Sequence, residues 1–187
     1  MNDRMPPLNP GSMSSEQKAA AAELAAGPRG GVRGPFIPLL RSPQLMDRLQ
    51  KVGEYLRYHS ALEPRLSEFA MLIVSRRMTQ QFEWAVHYPL AIKAGLSTQV
   101  ADALAGGARP RGMAEDEQLV YDFCDELLSN HGVSEPTYRR ALERLAERGV
   151  IDLVGLLGYF VTVSMVMNVA HTPARDSAIR PLEPFPG

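Results

Sequence analysis

One cysteine, Cys124, stands in a chain of 187 residues. An internal disulfide, a four-thiolate zinc site and any redox cycle needing two thiols in one chain are thereby excluded. Excess positive charge is missing too, with 20 Lys plus Arg against 21 Asp plus Glu, a formal charge of −1. A nucleic-acid binder that works by neutralising phosphates carries a clear basic excess, so that class is set aside. The first residues, Met1-Asn2-Asp3-Arg4 with three prolines by residue 10, hold no apolar signal-peptide core. A cytoplasmic location is the expectation. No alternation of apolar and polar residues runs long enough to read as a strand.

One long apolar run is present, the 21 residues from Val150 to Ala170, which is bilayer length. It is interrupted by Asp152, Thr162, Ser164 and Asn168, and by Gly155 and Gly158. No cluster of Lys and Arg marks a cytoplasmic flank. A buried helix in a soluble, oligomeric core is expected, not a membrane span.

Helical signals fill the middle of the chain. Hydrophobic residues at 45% and charged residues at 22% suit one globular domain with a sizeable core. Seven of the 15 prolines fall in the first 43 residues and four in the last 15. Proline inside a helix costs about 3 kcal/mol, so the ends are extended and the middle is free to coil. Residues 1–34 read as an arm with one short helix capped by Ser14 and ended by Gly27. Residues 35–171 read as a helical domain, entered through an extended Pro35-Phe36-Ile37-Pro38. Residues 172–187 read as an extended, proline-rich tail. Within the domain, helices are expected from Ser42-Pro43 to about His59, from Pro64 to Met78, and from Gln80 to Ala94. Others follow at Ser97–Leu104, Glu115–Asn130, Ser134–Arg148 and from Val150 to about His171, with Gly149 as a stop. Leu45, Leu49, Val52 and Leu56 supply the apolar stripe of the first. The class is all-α.

Most polar side chains have plain structural explanations. Cys124 lies on an apolar helix face as a small hydrophobe, and His59, His131 and His171 sit at helix C-termini, where the macrodipole favours them. Two helices break the pattern. The Pro64–Met78 helix is apolar nearly all round and yet carries Glu68, a charge that needs a partner if buried. The next holds Glu83 and His87 at i, i+4, within reach of each other on one face. A neighbouring carboxylate raises an imidazole pKa, so such a pair can move a proton near neutral pH. Pro89 then deprives the carbonyl of Ala85 of its helical donor. An exposed structural pair has the same spacing, and a metal site would need Glu68 as a further ligand.

Arg65-Leu66-Ser67-Glu68, the apolar helix after it, Glu83-x-x-x-His87 and Ala91-x-x-x-Gly95-Leu96-Ser97 together resemble carboxymuconolactone decarboxylase-like proteins. The alkylhydroperoxidase D-like proteins belong to the same superfamily. The resemblance spans about residues 35–171 and is sharpest from Pro64 to Ser97. It implies an all-helical domain of about seven helices built around a central antiparallel helix pair. It also implies homo-oligomers, as dimers, trimers or hexamers, with sites near subunit contacts. Peroxidase members carry two cysteines where this chain has Gln80 and Glu83, so thiol-based peroxide reduction is disfavoured. The decarboxylase branch keeps a glutamate four residues before the histidine, as here.

By that resemblance the reaction is cofactor-independent, with no metal, and removes CO₂ from a small acidic lactone or keto acid. His87 is the expected acid/base, with Glu83 setting its tautomer and pKa, and Glu68 orienting it or holding a second proton. Trp84 and Phe36 are the expected pocket walls, Arg65 or Arg76 the substrate-carboxylate ligand, and Tyr159 and Asn168 further polar contacts. A metal-dependent hydrolase at Glu68, Glu83 and His87, or a non-catalytic small-molecule-binding oligomer, are the alternatives. No nucleic acid or membrane partner is expected.

Overall fold

In the computed structural model, residues 2–174 and 179–183 are described, and no strand occurs among them. A 3₁₀ turn at Pro10–Ser12 precedes α1, Ser15–Ala26. The hydroxyl of Ser14 accepts from the amide of Gln17, and Gln17 reaches back to the amide of Ser14, a reciprocal cap. Next comes α2, Phe36–Leu39, where the sequence suggested an extended lead-in. Proline fits there because the first turn of a helix needs no amide donor, so Pro38 breaks no bond.

The body comprises α3, Pro43–Tyr58, α4, Pro64–Arg77, α5, Gln81–Lys93, α6, Thr98–Ala105, α7, Glu115–Asn130, and α8, Glu135–Ala170. The core helix is α4, packed against α5, α7 and α8. Its residues from Phe69 to Val74 are all buried, which is what an apolar surface on every side requires. Met78-Thr79-Gln80 turns the chain back, and Gly95 beyond the end of α5 lies against Arg65 at the start of α4. The two helices therefore run antiparallel as the central pair.

Two further expectations are corrected. The buried face of α3 is Met46, Gln50, Gly53 and Leu56, whereas Leu45 and Val52 of the expected stripe are 48% and 47% exposed. Gly53 supplies the reason, because without a side chain it admits Tyr159 of α8 and Arg29 of the arm, turning that face inward. The second concerns Gly149, which does not stop a helix. It is a buried helical residue whose Cβ would fall 2.9 Å from that of Leu145. The break lies earlier, at Ala146, where φ is 56° and ψ is 173°.

After the break, α8 is long and apolar enough to cross a membrane by composition alone, and 56% of its most apolar window is buried inside the fold. Of the tail, Leu182 is buried and exchanges hydrogen bonds with the side chain of Gln81. The expected extended segments at 175–178 and 184–187 lie outside the described residues.

Candidate active site

Glu68 on α4 and His87 on α5 face each other across the central pair. The Nδ1 of His87 lies 2.7 Å from Oε2 of Glu68, and its Nε2 lies 3.2 Å from Oε2 of Glu83. The ring is 1% exposed, and the edge of Phe160 meets it at a centroid distance of 5.1 Å. Burial pushes the imidazole pKa down, but the bonds to Glu68 and then Glu83 outweigh it and hold His87 above its ordinary value. The imidazole is thus clamped between two carboxylates, one on each ring nitrogen.

A cavity of about 470 Å³ is lined by His87 and Glu83, but Glu68 is not in its wall. The Nδ1 contact to Glu68 therefore lies away from the cavity wall, and Glu83, at Nε2, is part of it. Because the two carboxylates flank opposite ring nitrogens, they do not converge with the imidazole on a common point. Among the described residues no group of three or more His, Cys, Asp or Glu side chains is arranged to hold a metal ion. The hydrolase alternative required such a group.

Residues 43–120 match the model of the carboxymuconolactone decarboxylase family. That stretch runs from the first residue of α3 into α7 and contains Glu68, Glu83 and His87. No curated protein matches the chain. The rest of the cavity is built largely from outside the family-matched residues. Arg29, Arg33, Phe36 and Ile37 come from the arm and α2, and Tyr159, Phe160 and Val163 come from α8. Arg57, Tyr58, Phe82 and Val86 complete the wall from α3 and α5.

The loop before α2 lies flush on α5. Gly34 has φ +54°, and a Cβ there would fall 2.4 Å from Cε1 of Phe82, so no larger residue fits. Tyr159 is buried, which pushes its phenol up to about 12, although the charge of Arg29 pulls the other way.

Of the sequence-predicted wall and binding residues, Phe36 and Tyr159 line this cavity. Four others do not. Arg65 pairs with Asp116 and Glu117 of α7. Arg76 donates to the backbone of Glu183, and Trp84 sits beside it on the opposite side of α5, at a second cavity. Asn168 binds the side chain of Gln80 and the carbonyl of Met78. Sequence reasoning named Arg65 and Arg76 and did not name Arg29, Arg33 or Arg57, which line the cavity. A signal was available in the arm, where two arginines and four glycines fall between residues 27 and 34, a loop able to lie flat on another surface. Cys124 is fully buried, and burial pushes its thiol well up, so it has no thiolate character.

Proposed function

We propose that this chain is a cofactor-independent acid–base enzyme of the carboxymuconolactone decarboxylase kind, acting on a small acidic lactone or keto acid. The observation that carries the reading is the position of His87. Its imidazole is held by Glu68 behind, flanked by Glu83 in front, and set in the wall of a cavity large enough for a small organic acid. The bonds to its two partners favour the protonated imidazole that an acid catalyst needs.

In the proposed step the bond from the substrate to its carboxylate breaks and CO₂ leaves. The electron pair moves into the conjugated lactone or carbonyl, and the Nε2–Glu83 edge gives one proton to carbon. Water then restores that proton, so one proton is consumed for each CO₂ released. Arg29, Arg33 and Arg57 around the same cavity suit an anionic substrate.

The test is an ultraviolet assay with chemically prepared carboxymuconolactone, following substrate decay and CO₂ release in wild type and His87→Gln. The expected outcome is turnover in wild type and a fall in kcat of about 100-fold or more in the variant, with helicity unchanged. Equal turnover in the two proteins would overturn the role given to His87. No turnover in wild type would overturn this substrate.

A second copy of the chain belongs to the same reading. Ile151, Val154, Met165 and Val169 are exposed on α8, in line with Gly155 and Gly158, the latter with open space beyond it. A helix face of large apolar residues flanking small ones suits close approach by another helix.

A further inference from the structure

Three arginines line the cavity, and among the described residues no carboxylate pairs with any of them. Elsewhere Arg4, Arg41 and Arg48 donate to backbone carbonyls, and most others meet acids. Arg65, Arg77, Arg109, Arg139, Arg140 and Arg144 each have an acidic side chain within ion-pair distance. The three at the cavity stand together around one space.

Arg29 is the most constrained of the three. Its guanidinium lies over the ring of Phe36 at 4.7 Å, and Nη2 packs where Gly53 has no Cβ, a position that a methyl group would approach to 2.7 Å. Nε and Nη2 are closed off from water and make no well-formed hydrogen bond, with the phenol of Tyr159 as a neighbouring polar group. A guanidinium so placed costs stability, because it has lost solvent on one edge without gaining an anion. Arg29 lines the cavity as well, so an anion held there offsets part of that cost through its charge. Arg29 also lies in the arm, ahead of the family-matched residues 43–120.

We propose that Arg29 is the carboxylate anchor of this cavity, so that the arm and not the family domain selects which acids are accepted. The favoured ligands are flat, unsaturated carboxylates whose anionic end faces Arg29 and whose body packs among Phe36, Phe82 and Phe160. The inference rests on the cavity being the substrate site and is independent of the reaction run there.

The probes are 2-furoate, a flat five-membered ring bearing one carboxylate, and its neutral amide, 2-furamide, each titrated calorimetrically. Wild type is expected to bind furoate at least tenfold more tightly than furamide. Arg29→Gln should weaken furoate about 10- to 100-fold and leave furamide unchanged, with Arg29→Lys between. Without ligand, the Tm of Arg29→Gln should equal or exceed that of wild type, because an uncompensated charge has been removed. His87→Gln should bind furoate within a few-fold of wild type, which separates anchoring from proton transfer.

The proposal is overturned if wild type shows no preference for furoate, or if Arg29→Gln binds it within twofold of wild type. A lowered Tm in unliganded Arg29→Gln would also overturn it, since that marks a structural arginine. Furoate binding intact alongside absent turnover in wild type would count against the decarboxylase reading alone.

Discussion

At the scale of single residues, His87 couples catalysis to stability through one proton. Its folded pKa is held above the ordinary value of about 6.5. The Glu68 and Glu83 contacts therefore stabilise the fold fully below that pH, and the contribution is lost as pH rises through the folded value. Thermal unfolding of wild type against His87→Gln across pH 5 to 10, roughly the range over which an imidazole raised from its ordinary value titrates, should show this. Wild type is expected to lose stability relative to the variant on the alkaline side, and parallel curves would contradict it. Glu68→Gln should act on the same proton from behind the ring. Without the Glu68 bond that raises the imidazole, this variant should lose activity at lower pH than wild type does. An unshifted alkaline limb would remove Glu68 as a positioning residue. Glu68, Glu83 and His87 were readable in the sequence because a carboxylate in an apolar helix and an i, i+4 pair are local patterns. The arginines that line the cavity were not. Their roles depend on which charges have partners, and Arg65, nearest in the chain to Glu68, is taken by Asp116 and Glu117 from about 50 residues away.

At the scale of elements, two backbone positions carry testable costs. Ala146 interrupts α8 with φ 56° and ψ 173°, a region that is nearly glycine-only. Ala146→Gly should raise stability by about 1 kcal/mol, read as a higher urea midpoint at constant m-value. Gly53 presents the opposite case. A Cβ there would fall 2.3 Å from the hydroxyl of Tyr159, so Gly53→Ala should cost about 1–3 kcal/mol by overpacking. These two positions also show why element existence was easier to read than element orientation. Caps and breakers such as Ser14, Pro43, Pro64 and Gly95 act on their own neighbours, and the helices begin and end close to them. The inward face of α3 depends on what arrives from α8 and the arm. Its apolar residues at 45 and 52 match the helical period as well as the buried Met46 and Leu56 do. The missing side chain at Gly53 decides between them.

At the scale of the whole molecule, the exposed apolar face of α8 predicts self-association. Sedimentation velocity should give more than one copy per particle for wild type, and Ile151→Glu with Met165→Glu should shift it toward single chains. A monomeric wild type would leave that face to another occupant. The cavity itself spans the chain from Pro28 to Val163. Arg29 is therefore made early in synthesis, while Tyr159, packed with it against Gly53, is made some 130 residues later. At about 5–20 residues per second, the ribosome leaves the arm waiting several seconds or more for its wall. During that interval no ligand can assist folding, since there is no cavity to bind it. Small acids that stabilise the finished protein should thus leave its maturation rate unchanged, and their benefit should appear only as slower turnover of completed chains.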